Sequence, residues 1–318
     1  MFCFVVSESI SLFLHLLFEP SDTTSTRNDR NGVDYYIYPR QQDEPFSLYV
    51  AVNVRNATEL PVWLSDCQLP MCTYQIFSDA IDDGASGIRV YPSQFARGRQ
   101  HFGYRGRFQF TEALINTKCR WTHFLRVDED GYLCLNKLLQ KKLPSSNFLA
   151  GRFHCRGGNV RMDENYMLLT RDAISYFVRG WEEGVLPFDG RLTLALNVGA
   201  ALHHLHYTCG WTFWDDRDRI RWDEPLDGIS CDSHVWMHHL SRDQAMVMYS
   251  HHHPDGDEAV SRPFGNVTQP FVNQTGCKRL GTLLPAFEDP SRIRFLDADG
   301  NFSFGNLSMV SHIPCHLN

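Results

Sequence analysis

The feature that most constrains this chain is a strand that runs straight into acids. Residues 121–127 are apolar enough for a buried strand, and Asp128-Glu129-Asp130-Gly131 follows without a spacer. In an extended segment residues two apart point the same way, so Asp128 and Asp130 are expected to share one side of the strand's end. Such a strand suits an open α/β sheet, in which ligands gather beyond the carboxyl ends of the strands. Two carboxylates there suit a hard divalent cation that also takes oxygens from a diphosphate. The same segment also reads as a solvated acidic turn, because Asp-Gly is a common turn pair. On these residues alone the two readings stand level.

The rest of the chain agrees with an α/β sheet. Residues 46–54 and 73–78 read as further strands. Helical patterns cover 106–117, 133–143 and 192–206, and Thr170 caps another helix that Gly180 or Gly184 stops. Ser241-Arg242-Asp243-Gln244 is a capping box that opens a helix over 245–249. Strands alternating with helices indicate α/β architecture, and no internal repeat is present. Asp299-Gly300 is a hairpin signal in a C-terminal appendage, 254–318. Residues 19–45 are polar and lack an apolar period, as in a solvated stem.

Charge and cysteine usage narrow the setting. Against 37 acids stand 30 Lys and Arg, a net charge of −7 with no long basic block, which argues against nucleic acid as a partner. An acidic protein that handles phosphate needs a metal ion or a local cluster of cations. The 10 cysteines include no C-x-x-C pair, so a zinc ribbon and a thioredoxin-type site fall away. Sequons stand at Asn56, Asn266, Asn273, Asn301 and Asn306. Together with the even cysteine count they favour a secretory compartment. Residues 1–18 are mostly apolar and would span about 27 Å as a helix, against a hydrocarbon core of about 30 Å. Glu8 near their middle would cost about 2.5–3.5 kcal/mol there. This segment is read as a weak signal-anchor, with a buried helix or an incomplete gene model as the alternatives.

Three groups of histidines stand out. His238 and His239 stand just before the capping box, where a neutral imidazole is available to the same cation, although a lone histidine is more often structural. His251-His252-His253 is read as a solvated loop, and His203, His204 and His206 as a partly buried helix face. Neither run has an acid at ligand spacing.

In order along the chain these pieces resemble the inverting β-1,3-glycosyltransferases, the superfamily of Fringe, the β-1,3-galactosyltransferases, core 1 galactosyltransferase and the chondroitin synthases. Phe124-Leu125-Arg126-Val127-Asp128-Glu129-Asp130-Gly131-Tyr132 is similar to that family's metal-binding strand end. Trp63-Leu64-Ser65-Asp66-Cys67 resembles its early tryptophan and cysteine, and 165–172 its segment entering a helix. Val235-Trp236-Met237-His238-His239-Leu240-Ser241 resembles the late strand whose histidine binds the metal. The core 1 branch is the most similar, and the likeness covers roughly 46–253.

The resemblance implies a GT-A-like nucleotide-sugar-binding domain over 46–253, with a mixed central sheet flanked by helices. It implies Mn²⁺ or Mg²⁺ held by Asp128, Asp130 and His238, and a UDP-sugar contacted by Asp128, Glu129, Asp130 and Trp63. The reaction implied moves a hexose to a glycan or glycoprotein acceptor, in the lumen of the Golgi or ER. Three departures stand beside it. The early tryptophan follows Asn56-Ala57-Thr58-Glu59-Leu60-Pro61-Val62, with only Arg55 nearby for the family's basic residue. Arg161-Met162-Asp163-Glu164-Asn165 replaces a glycine-rich pattern. Leu192-Thr193-Leu194-Ala195-Leu196 stands where the family's Glu-Asp pair supplies the base, and Asp189, the nearest acid, is the candidate catalytic base in its place. A catalytically inactive relative that binds a glycan or a partner enzyme, and a histidine-rich metal hydrolase, are the competing readings.

Overall fold

The computed structural model describes 46–55, 60–68, 71–79, 87–92, 94–95, 102–115, 120–139, 143–156, 159–186, 188–190, 192–207, 209–216, 220–221, 230–231 and 234–252. It also describes four short outlying strands and Cys315. Two of these strands, β1 (Ser25–Asn28) and β2 (Asp34–Ile37), pair antiparallel inside the stretch expected to be a featureless stem. Tyr35, Tyr36 and Ile37 supply the strand preference that the polar composition hides. The expected anchor at 1–18 and all five sequon asparagines lie outside the described residues. Among the described residues no helix is long and apolar enough to cross a membrane.

The core is a seven-stranded mixed sheet. Its strands are β3 (Leu48–Val54), β4 (Cys72–Ser78), β5 (Ile88–Val90), β6 (His123–Asp128), β8 (Phe148–Arg156), β9 (Asn159–Thr170) and β10 (Thr212–Asp215), in the spatial order β10-β8-β9-β6-β3-β4-β5. All neighbouring pairs are parallel except those of β9, which runs antiparallel to both β6 and β8. A second, three-stranded sheet orders β11 (Ile220–Arg221), β12 (Trp236–His238) and β7 (Gly131–Leu133). The mixed central sheet flanked by helices, expected of a GT-A-like α/β fold, is what the chain forms.

Both faces of the sheet are covered, so its central strands are mostly apolar, with Asn53, Arg126 and Asp128 toward the carboxyl ends of β3 and β6. Along β3 the side chains alternate: Tyr49 and Ala51 join one cluster, and Val50, Val52 and Val54 join the other. The first cluster packs under α1 (Phe102–Ile115), α3 (Arg171–Glu182) and α4 (Leu194–Tyr207), through residues such as Phe110, Phe177 and Val198. The second lies under a 3₁₀ turn (Val62–Asp66), the small sheet and α5 (Arg242–His252), with Trp63, Leu133 and Trp236 at its centre. Each large apolar side chain so buried stabilises by about 1.5–3 kcal/mol.

Local rules account for the element ends. Ser241 and Gln244 make the reciprocal capping box, with Ser241 N–H donating to Gln244 Oε1 (2.8 Å) and Gln244 N–H to Ser241 Oγ (3.3 Å). His251 and His252 are the last residues of that helix rather than a loop. Thr170 precedes α3 as expected, but its hydroxyl serves Phe148 on β8 instead of the helix. The helix expected from 133 starts later, as α2 (Leu135–Leu139), because Gly131, Tyr132 and Leu133 pair with β12. Disulfides join Cys67 to Cys72, Cys134 to Cys231 and Cys209 to Cys315. In the appendage β13 (Arg294–Leu296) and β14 (Phe302–Phe304) pair antiparallel, and the Asp299-Gly300 turn signal between them lies outside the described residues.

Candidate active site

The chain leaves β3 to build β4 and β5 on one side, then returns to place β6 on the other. The carboxyl ends of β3 and β6 therefore flank the sheet's switch point, where α/β sheets open a crevice. Asn53 and Asp128 face each other there in register. Asn53 Nδ2 donates to Asp128 Oδ1 (3.2 Å), while Tyr91 Oη–H donates to Asn53 Oδ1 (2.9 Å). Glu129 N–H donates to the Asn53 carbonyl (3.0 Å), and Glu129 Oε2 accepts from Arg55 N–H (2.8 Å). The acidic turn is thus pinned to both strands.

Beyond Asp128 the chain stops being extended. Glu129 and Asp130 form a turn and Gly131 starts β7. The rule that residues two apart share a side applies to extended backbone and does not carry through this turn, and the cluster that closes around Asp130 is made with His238 and His239. Asp130 turns toward β12. Its Oδ1 lies 3.1 Å from His238 Nε2 and its Oδ2 lies 3.9 Å from His239 Nε2. Asp130, His238 and His239 each offer a ligand atom, and these atoms lie within 4.8 Å of one another. Burial acts to raise the Asp130 carboxyl, but the His238 hydrogen bond and the two imidazoles outweigh it and hold the group below the usual carboxylate range.

Close approach of two backbones makes this cluster. A Cβ on Gly131 would collide with the Trp236 ring, so β7 and β12 pair here only because residue 131 is glycine. Their register sets His238 opposite Gly131, and Leu240 N–H donates to the Asp130 carbonyl (2.9 Å). Trp63 is fully buried, and its Nε1–H donates to the Gly131 carbonyl (3.1 Å), supporting the turn from below. The sequence takes one imidazole from the His238-His239 pair; the structure brings both. Strand alternation would send His239 away, but β12 ends at His238 and a φ of 58° at His239 turns the chain back. The two rings lie 3.9 Å apart, centre to centre.

Asp128 belongs to a different network. Arg126 Nη2 lies 3.4 Å from Asp128 Oδ1, Arg126 Nε–H donates to Gln109 Oε1 (3.1 Å), and Nη1–H donates to the Glu164 carbonyl. Burial works against the Arg126 charge, but Asp128 and Glu164 more than compensate and keep the guanidinium protonated. Glu164, on β9, was not singled out from sequence as a site residue. Its Oε2 accepts from Ala195 N–H at the start of α4 (3.4 Å). Burial raises the Glu164 carboxyl above the ordinary range, with Asp128 and Asp163 adding to this and Arg126 and the Ala195 N–H opposing it.

Asp189 lies in the connection before α4. Its N–H donates to Asn197 Oδ1 (2.9 Å) and its carbonyl accepts from Asn197 Nδ2 (2.9 Å). Beside it the Gly190 carbonyl accepts from Gly103 N–H (3.1 Å), which ties this loop to the start of α1. The side chains of His203, His204, His206, His251 and His252, and all of His253, lie outside the described set.

No family model matches the chain, and no curated protein matches it. Among solved structures, a glycosyltransferase involved in glycosylation of the major capsid of PBCV-1 aligns at 9% identity. The alignment covers 64% of this chain and 98% of that one, with a TM-score of 0.38. The glycosyltransferase GlyE of Streptococcus pneumoniae TIGR4 aligns in two structures at 12% identity, with TM-scores of 0.35 and 0.32. Each covers 64% of this chain, which spans 59–60% of the GlyE chains.

Proposed function

We propose that the chain is a metal-dependent inverting glycosyltransferase that moves a hexose from a UDP-sugar to a glycan or glycoprotein acceptor through a β-1,3 linkage. The observation that carries this reading is the Asp130–His238–His239 cluster beside the carboxyl end of β6, at the sheet's switch point. One carboxylate and two imidazoles suit Mn²⁺ better than Mg²⁺, because imidazole favours transition metals. Such a cation, when bound, neutralises a diphosphate leaving group. Asn53, Glu129 and the Arg126–Asp128 pair border the same crevice and supply hydrogen-bonding groups for a nucleotide. Three disulfides agree with an oxidising lumen, and we extend the proposal to the Golgi or ER, with 1–18 as anchor.

One observation favours a second reading. A carboxylate with two histidines is also a zinc set, so a metal hydrolase remains the rival. Calorimetry with UDP, in Mn²⁺ and then in Zn²⁺, separates the two. UDP binding that requires Mn²⁺, together with UDP release from UDP-galactose, UDP-glucose or UDP-N-acetylglucosamine, is expected. Tight Zn²⁺ binding without any affinity for UDP would favour the hydrolase.

A further inference from the structure

We propose that Glu164, lifted out of the sheet by a bulge in β9, is the group that takes the proton from the attacking hydroxyl. This rests on the glycosyl-transfer reading above. On β8, Gly151 pairs with Met167 and Phe153 pairs with Met162, so the single residue Arg152 stands opposite the four residues 163–166 of β9. On its other side β9 pairs with β6 only from Tyr166 onward, opposite Val127. Asp163, Glu164 and Asn165 are therefore released from both neighbours just past the strand end that carries Asp128. Bulges of this kind re-aim side chains beside active sites. The neighbouring strand accommodates this one through a glycine: a Cβ on Gly151 would come within 2.8 Å of the Tyr166 carbonyl.

What surrounds Glu164 suits a proton acceptor. The Arg126 guanidinium binds its carbonyl and also contacts Asp128, which couples the bulge to the crevice. The first turn of α4 holds one carboxylate oxygen through Ala195 N–H, leaving the other oxygen for a hydroxyl. The residue keeps part of its surface open. The charged groups that act on it are Arg126 and Asp128 on β6 and Asp163 on β9. Burial, with Asp128 and Asp163, raises the carboxyl above the ordinary range against Arg126 and the Ala195 N–H, which makes the carboxylate a stronger proton acceptor.

In the step proposed, the acceptor oxygen bonds to the anomeric carbon while the bond from that carbon to the UDP oxygen breaks. The electron pair leaves on UDP and the hydroxyl proton passes to Glu164, which later returns it to solvent. Water serves as the test acceptor. The measurements are UDP affinity in Mn²⁺ by calorimetry and UDP release from UDP-galactose, UDP-glucose and UDP-N-acetylglucosamine, on the full chain.

Glu164→Gln keeps the acceptor for Ala195 N–H and should bind UDP within about threefold of wild type, while release slows at least ~100-fold. Glu164→Asp should fall between the two. A residue that only caps α4 would leave release unchanged in the Gln variant, and that result overturns the proposal. Slow release in Asp189→Asn with normal release in Glu164→Gln overturns it in favour of Asp189. Wild type that binds UDP and releases none overturns it in favour of an inactive relative. Wild type that binds no UDP at all removes the glycosyl-transfer reading itself. Should both Glu164 variants fail to fold, Asp189→Asn decides: loss of release there overturns the proposal and normal release supports it.

Discussion

At the scale of single residues the two aspartates of the acidic turn have parted company, and their substitutions should do different things. Asp130 faces two imidazoles, so Asp130→Asn removes the one carboxylate of the cluster. Mn²⁺-dependent UDP affinity should fall at least ~100-fold, at or beyond the upper end of the ~10–100-fold that loss of a supporting partner costs. Asp128 balances buried Arg126 instead. Asp128→Asn should lower folding stability by about 1–3 kcal/mol, with metal affinity changed far less. Calorimetry and urea unfolding of both variants make the comparison. An equal loss of metal affinity in the two would return Asp128 to the ligand set, as the resemblance implied. The Asp130–His238 pairing was legible in the sequence because a strand end and a late histidine stood in the expected order. The surroundings of Asp128, His239 and Glu164 were not, since each depends on where extended backbone stops: after Asp128, at His238, and in the bulge of β9.

At the scale of elements, apolar runs located β3, β4 and β6 to within two residues, because buried parallel strands need no partner-specific signal. The long β8–β9 hairpin was missed: its polar bulge at 163–165 interrupts the apolar period that would have announced a strand. The resemblance pointed to a late strand where β12 lies, but its pairing with β7 was not legible, because each strand has three residues and the pairing depends on contacts remote in sequence. Gly131 makes that pairing possible. Gly131→Ala would drive a methyl group into the Trp236 ring, pushing β12 away from the turn and carrying His238 with it. Overpacking of this kind costs about 1–3 kcal/mol in folding. Mn²⁺ affinity should drop although all three candidate ligands remain. A variant that binds Mn²⁺ as wild type does would show that the β7–β12 approach does not position the cluster.

For the whole molecule, the covalent and titratable parts of the fold give opposing handles on stability. Cys134–Cys231 closes a long loop, 97 residues apart in sequence, and ties α2 to the segment before β12. Replacing both cysteines by serine should cost about 2–5 kcal/mol and lower the melting temperature. Expression through a secretory system should also add mass that a glycosidase removes; unmodified protein would count against the lumenal reading. The last handle is His123, buried at the start of β6 with Nε2 2.9 Å from the Pro144 carbonyl and its ring 4.7 Å from Phe46. Burial pushes its pKa down to about 4, against the hydrogen bond to Pro144, which pulls upward. Between about pH 6.5 and pH 4 the unfolded chain binds a proton here that the folded chain does not. Stability therefore rises with pH across that window and falls as the solution is acidified. Glu164 and Glu112, both raised chiefly by burial, act in the reverse sense, because the folded chain keeps their protons to higher pH. The His123 contribution must therefore be read as a difference. His123→Gln retains a donor for the Pro144 carbonyl but does not titrate. Relative to that variant, wild type should lose stability progressively below pH 6.5, approaching about 3 kcal/mol near pH 4. Urea unfolding of both proteins at several pH values measures it, and parallel curves would mean that His123 charges as readily folded as unfolded.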